Sequence, residues 1–207
     1  MSLDLFIPFL IATVILLATP GPTILLVVSY ALAQGRSVAL AVVGGVILGD
    51  LLAMSTIVLG LGVITTASAS LFTVMKWAGA AYLAWMGWRM IRSAGRATAD
   101  LAEVAGKSKG AAFRDSALVT LLNPKSIGFF VAFVPQFIDP AAPFTPQFTV
   151  MIATFVGLGG VNALAYALLA ATLRSKVARP DRMAWLQRGS GAVLIGLAVF
   201  TTTLRRA

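Results

Sequence analysis

The chain has 207 residues, 59% hydrophobic and only 11% charged, with a mean hydropathy of +0.93; a soluble domain carries about 25% charged residues, so an ordinary water-soluble fold is excluded. Cys and His are both absent, which excludes thiol redox chemistry and argues against a zinc, copper or other soft-metal site, so neither cofactor nor metal is expected. The net charge of +9 would suit a nucleic-acid partner, but the basic residues lie in loops between apolar runs, where they orient a protein among membrane lipids, and no nucleic acid is expected.

Apolar runs of about 20 residues recur along the whole length, enough to cross a hydrocarbon core of roughly 30 Å. Six spans are predicted, at about 5–33, 38–64, 71–91, 116–138, 148–173 and 185–204, which gives an all-α integral membrane protein with six transmembrane helices. Spanning barrels show alternating segments of about 10 residues and do not fit. The start, Met1-Ser2-Leu3-Asp4, has no basic stretch and no cleavage site follows, so the first run reads as a retained span and not a signal peptide.

That first span is long, about 29 residues or roughly 43 Å if straight, and no charge interrupts it from Leu5 to Ala33. Pro20, Gly21 and Pro22 nevertheless stand inside it, in "LLATPGPTILL". Proline lacks the backbone N–H and clashes with the preceding turn, so real unwinding is expected rather than a simple kink. Span 4 carries a second proline break, in "LLNPKSIGFF", at Asn123, Pro124 and Lys125. A helix broken within a membrane frees N–H and C=O groups, which is tolerable only where they are buried in protein or face a water-filled cavity. The N-terminus of the half-helix after each break offers N–H donors and about half a positive charge, a ready carboxylate site. Asn123 is placed to accept backbone N–H bonds at such a start.

Two ionisable residues fall within apolar spans: Asp50 in "GGVILGDLLA" and Lys125. An acidic side chain at a bilayer centre costs about 2.5–3.5 kcal/mol on insertion scales, so it rarely faces lipid. Asp50 reads blandly as a neutral or helix-bonded carboxyl; functionally it alternates between proton and substrate, or holds an ammonium, in a polar cavity. Lys125 either snorkels to the cytoplasmic interface, pairs with Asp50, or neutralises a substrate carboxylate. Gly45 and Gly49 form a GxxxG pair that lets a helix approach closely, within one chain or between two, so a homo-oligomer stays open.

The halves look related. "GGVILGD" can be set against "VGLGGVN", pairing Gly45 with Gly157 and Asp50 with Asn162, and "TPGPTILL" against "LNPKSIGFF". Three spans per half would invert the second copy, as in many transporters. The expected layout is one transporter domain: residues 1–92, a flexible, solvated cytoplasmic connector over 93–115, and residues 116–207. Arg36, then Arg89, Arg92, Arg96, Lys107, Lys109 and Arg114, then Arg174, Lys176, Arg179, Arg182 and Arg188 flank the three odd-numbered loops, against Lys76, Arg205 and Arg206 on the other face. The odd loops are therefore predicted cytoplasmic and both termini outside. Trp85, Trp88 and Trp185 then fall near the cytoplasmic interface.

In this order, "TPGPT", "GRSVALAVVGGVILGDLL", "KWAGAAYLAWMGWRMIR" and "LLNPKSIGFFVAFVPQFI" resemble the LysE/RhtB family of bacterial amino-acid exporters, over nearly the whole chain. The resemblance implies inner-membrane efflux of amino acids or their derivatives, driven by proton exchange. It assigns Pro20, Gly21 and Pro22 to the family's first break, Gly45, Gly49 and Asp50 to its second-helix motif, and Asn123, Pro124 and Lys125 to its fourth-helix motif. The chain departs at Thr23, where members often carry Asn, and at Ala39, which replaces a common Gly. On this reading a substrate carboxylate meets the half-helix N-termini and Lys125, its ammonium lies toward Asp50, and Thr23 or Asn162 adds hydrogen bonds. Two other readings stand beside it. An ion or inorganic-solute carrier has only one buried acid to work with. A membrane-embedded enzyme would lack an H-E-x-x-H or G-x-S-x-G motif and a Cys nucleophile.

Overall fold

Pro20 brings no N–H to a helix and its ring opposes the preceding turn, so a helix begun at Leu3 cannot run through it. In the computed structural model, which describes residues 1–67, 69–92, 104, 106–172 and 180–203, the helix stops at Ala18 (α1, Leu3–Ala18). A new one starts at Pro22 (α2, Pro22–Gln34), where the missing N–H is no loss because first-turn donors have no intrahelical partner. Gly35, at φ 71°, turns the chain through the left-handed region that glycine tolerates and opens a 3-10 turn over Gly35–Val38. Two long helices follow, α3 (Ala39–Ala67) and α4 (Ala69–Arg92).

The second half of the chain repeats this order. A helix (α5, Lys109–Leu121) ends before Asn123, another starts at Pro124 (α6, Pro124–Ala132) and runs into a 3-10 turn over Val134–Phe137. Two long helices complete it, α7 (Phe144–Thr172) and α8 (Pro180–Thr203). No strand occurs among the described residues. The helices coincide with the six predicted segments to within a few residues, except that α5 begins at Lys109 and not at 116. Ser108 is the reason, because its hydroxyl oxygen accepts the Ala111 N–H at 3.2 Å and caps the helix early.

The described end of the predicted connector is also held down rather than freely solvated. Val104 is buried, and the Gln34 side chain donates to the carbonyls of Val104 (2.9 Å) and Lys107 (3.0 Å). Lys107 Nζ pairs with Asp115 at 2.9 Å, and Asp115 also accepts from the Tyr30 hydroxyl at 2.8 Å. Residues 93–103, residues 173–179 and the Arg205-Arg206 tail, which carry part of the charge asymmetry read above, lie outside the described residues.

Three helical runs, 22–57, 109–137 and 144–172, are long and apolar enough to cross a bilayer, and 3–18 and 188–200 are shorter apolar helices. Ile7, Ile11, Leu51, Leu52, Val161 and Leu169 point outward, as do Trp85, Trp88 and Trp185, while Asp50, Asn123, Lys125 and Gln147 are buried. Polar inside and apolar outside is the arrangement of a protein bathed in lipid. One apolar core gathers Phe9, Leu16, Met54, Phe129, Phe130, Phe133 and Phe155, with the Phe130 and Phe155 rings edge-to-face at 4.8 Å. The other gathers Ile24, Val27, Val28 and Tyr30 of α2 with Val42 and Val46 of α3 and Ala163 and Ala167 of α7. Leu16 belongs to the first core and Ile24 to the second, so the first break lies between them.

Glycines set the helix spacing. A Cβ on Gly45 would strike the Phe113 carbonyl oxygen, and one on Gly49 would stand 2.5 Å from that of Ala117, so α3 lies directly on the α5 backbone. Gly87 of α4 and Gly191 of α8 interlock in the same way, each against the other's carbonyl. Gly157 has nothing within 4 Å of a built Cβ, so its alignment with Gly45 is not matched in packing. Gly45→Val and Gly49→Val are therefore each expected to cost about 1–3 kcal/mol through overpacking, and Gly157→Ala close to nothing. Thermal unfolding of the three variants in detergent checks this; equal midpoints for all three would remove the glycine contacts as the determinant.

Candidate functional site

The first break leaves the last four carbonyls of α1 without helical partners, among apolar side chains where an unmade bond is costly. Thr19, the capping residue, serves two of them locally, its N–H reaching Leu16 O at 3.2 Å and its hydroxyl Ile15 O at 2.7 Å. Donors from the second half of the chain reach Leu16, Leu17, Ala18 and Thr19 itself. Lys125 Nζ donates to Leu16 O at 3.0 Å and to Thr19 O at 2.6 Å. The Asn162 amide donates to Leu17 O at 2.9 Å, and the Tyr166 hydroxyl to Ala18 O at 2.9 Å. Asn162 and Tyr166 are four residues apart on α7 and so share one face. The Lys125 ammonium sits at the negative end of the α1 dipole, the favourable place for a cation.

The second break is built around Asn123. Its side-chain oxygen accepts the Lys125 N–H at 3.0 Å, capping α6, while its amide donates to Thr23 Oγ1 at 3.0 Å. The Thr120 hydroxyl donates to the same oxygen at 3.3 Å. Helices α2 and α5 are each 13 residues long, so the breaks lie at matching depth from Gln34 and Lys109, and they meet. The Lys125 side chain crosses Gly21 so closely that a Cβ there would be 3.4 Å from its Cδ and Cε.

Asp50 comes to this junction from α3 and is 3% exposed. Its carboxylate lies against Gly159 of α7, where a Cβ would stand 2.8 Å from Oδ2. Among the described residues it accepts no hydrogen bond, and no ion pair joins it to Lys125. Both side chains line one cavity of about 20 Å³, together with Thr23, Asn123, Ser126 and Asn162 and the apolar Leu17, Ile24 and Val46. That volume holds about one water-sized body, not an amino acid. No group of three His, Cys, Asp or Glu side chains could hold a metal among the described residues.

The expected residues therefore divide into two sets. Thr23, Asp50, Asn123, Lys125 and Asn162 converge on the cavity, framed by Pro20, Gly21, Pro22 and Pro124 at the breaks. Gly45 and Gly49 stand outside it, against α5. Lys125, 4% exposed, does not snorkel. It turns to the carbonyl end of α1, whereas the sequence reading weighed only the N–H ends of the half-helices. Sequence reasoning also missed Gly159, Tyr166, Thr120 and Ser126. Gly159 and Tyr166 stand three before and four after Asn162, on its face of the helix, and that spacing was the available signal.

A family model described as LysE type translocator matches residues 14–204. The chain is similar to an uncharacterized membrane protein of Vibrio cholerae serotype O1, 32% identical over 99% of this chain and all of the relative. It is 30% identical, over the full length of both, to a homoserine/homoserine lactone efflux protein of Salmonella typhimurium. A leucine efflux protein of Klebsiella pneumoniae is 28% identical over 65% of this chain and 63% of its own length. No solved structure matches.

Replacing Lys125 by Met removes both donors from the Leu16 and Thr19 carbonyls while keeping most of the side-chain volume. Leu16 O keeps the Thr19 N–H, so the expected cost is about 1–3 kcal/mol for the Thr19 carbonyl left unsatisfied in the interior, read as a lower unfolding midpoint in detergent than that of Tyr166→Phe, which frees one carbonyl at a more exposed place. An unchanged midpoint for Lys125→Met would show that the clamp on α1 is not structural.

Proposed function

The chain belongs to the LysE type translocator family, and we propose that it exports amino acids or close derivatives across the bacterial inner membrane, by alternating access and in exchange for protons. The observation that carries this reading is Asp50: a buried carboxylate with no hydrogen-bond donor among the described residues, in a cavity formed where two helix breaks meet. The efflux activities named for the Salmonella and Klebsiella relatives support the substrate class and a transporter rather than an enzyme. In this reading the six helical segments all span, the two halves are inverted copies, and the loops after α2, α4 and α7 face the cytoplasm with both termini outside.

A proton and a substrate ammonium compete for the same Asp50 oxygens, so loading one requires loss of the other. The carboxyl end of the substrate lies toward the first turn of α2. There Gly21 supplies no side-chain cap, and the N–H groups of Thr23 and Ile24 carry the positive end of the helix dipole. In this reading the cavity of about 20 Å³, too small for an amino acid, belongs to a closed conformation. Opening it requires α1 to shift against α6 and α7, across the bonds made by Lys125, Asn162 and Tyr166. In everted membrane vesicles, Asp50→Asn is expected to reduce pH-gradient-driven amino-acid transport to the level of vesicles without the protein. Full gradient-driven transport by this variant would remove Asp50 as the proton carrier.

A further inference from the structure

We infer that the proton carried by Asp50 leaves for the cytoplasm along a column of hydroxyl groups between α2 and α5, in which Ser116 holds a relay water. This rests on the proton-exchange reading above and gives the proton a route that the substrate does not share. Two hydrogen-bonded pairs join α2 to α5. At the cavity the Thr120 hydroxyl donates to Thr23 Oγ1 at 3.3 Å, and the Asn123 amide donates to the same oxygen at 3.0 Å. Toward Gln34 and Lys109 the Tyr30 hydroxyl donates to Asp115 at 2.8 Å. Thr23 and Tyr30 stand two turns apart on one face of α2, roughly 10 Å along its axis. Ser116 belongs to the stretch of α5 between the two pairs, one turn before Thr120.

Ser116 is 1% exposed, and its hydroxyl has no partner among the described residues. A helical serine can turn back to the carbonyl one turn earlier, as Ser29 does to Leu25 O at 2.7 Å. Ser116 does not. A buried hydroxyl without a partner is destabilising, and an alanine would fill the same place without that cost. Packing therefore does not account for a serine here, whereas a bound water does. Such a water needs several polar partners, and side chains one turn apart on a helix are about 5–6 Å apart, the span that one water bridges between Ser116 and Thr120. Helix α3 closes the column on its own side. A Cβ on Gly45 would stand 2.9 Å from Ser116 Cβ, and one on Gly49 2.7 Å from Thr120 Cβ.

The opposite side of the cavity is apolar. One turn from Asp50, Lys125 and Gly159 stand Met54, Phe129 and Phe155, all wholly buried. Thr13, the other buried hydroxyl without a partner among the described residues, sits on α1 on that side and marks no continuous column. Along α2 and α5 the transfer balances. Thr23 takes the Asp50 proton and passes its own to Thr120; Thr120 passes one to the water at Ser116, which releases one at the part-exposed Asp115 end. Each oxygen gains one proton and loses one, so none keeps a charge. The charged groups are Asp50 and Lys125 at the cavity and Asp115 at the exit, with Lys107 and Arg114 on its oxygens.

The test uses the full chain reconstituted in liposomes, with Ser116→Ala as the variant. The common amino acids and homoserine are screened by counterflow, the exchange of labelled for unlabelled amino acid without a gradient, and the one exchanged fastest is the probe. Counterflow needs no net proton movement; accumulation driven by a pH gradient does. Ser116→Ala is expected to lower gradient-driven transport about tenfold or more and to leave counterflow within about twofold of wild type. Unchanged gradient-driven transport would overturn the inference. An equal loss of counterflow would also overturn it, since the hydroxyl would then serve the substrate or the moving helices and not proton release. Wild-type counterflow without gradient drive would end the proton-exchange reading and the inference with it, and no wild-type counterflow with any probe would end the exporter reading as well.

Discussion

A backbone carbonyl within a membrane has no water to turn to, and ending a helix there exposes four of them at once. The rest of this site follows from how that debt is met. Leu16, Leu17, Ala18 and Thr19 present their oxygens at Pro20, and donors reach them from α6 and α7, which are more than 100 residues further along the chain. Local chain geometry supplies only the Thr19 N–H to Leu16 O and the Thr19 hydroxyl to Ile15 O, because Pro20 has no N–H and the next helix begins only at Pro22. The break is thus stable only when the second half of the chain is folded against the first. One consequence is that the positions of Lys125 and Asn162 are set by the end of α1 as much as by their own helices.

The same arrangement separates two opposite charges that might otherwise cancel. A lysine and an aspartate sharing a buried cavity would ordinarily close into an ion pair, since the desolvation of both is otherwise uncompensated. Here the helix end takes the lysine, through two carbonyls and the negative end of the α1 dipole. Asp50 is left facing Gly159, whose missing side chain makes the room its carboxylate occupies. A carboxylate held in this way is available to a partner that comes and goes, as the exporter reading requires.

The contacts between helices are of two physical kinds. Where Gly45 and Gly49 meet α5, and where Gly87 meets Gly191, backbone touches backbone and shape alone fixes the distance. Where the breaks meet, hydrogen bonds join side chains to freed carbonyls and hydroxyls, and such bonds can exchange partners without a steric barrier. Both kinds of contact join the first half of the chain to the second: α3 to α5 and α4 to α8 through glycine, and Thr23 of α2 to the start of α6 through Asn123.

Much of this was legible in the sequence because its causes are local. Composition and apolar run length identify a helical membrane protein, proline placement locates both breaks, and the rarity of charge in apolar spans singles out Asp50 and Lys125. Ser108 as an early cap for α5 was legible in principle, since Ser before a helix is a known signal, but the polar stretch around it masked the start. What the sequence could not supply is direction. Nothing in "NPKS" says whether the Lys125 ammonium faces Asp50, lipid headgroups or the end of α1, because the partner is a set of backbone oxygens that every residue carries. Gly157, Gly159 and Gly160 look alike in "VGLGGVN", yet only the tertiary structure decides that Gly159 faces Asp50 while Gly157 faces open space. The sequence by itself determined the helices, their breaks and the buried charges, since these follow from side-chain hydrophobicity and the missing proline N–H. Which carbonyls those charges and amides satisfy was decided only by the packing of α6 and α7 on α1, because a backbone acceptor has no signature in the sequence.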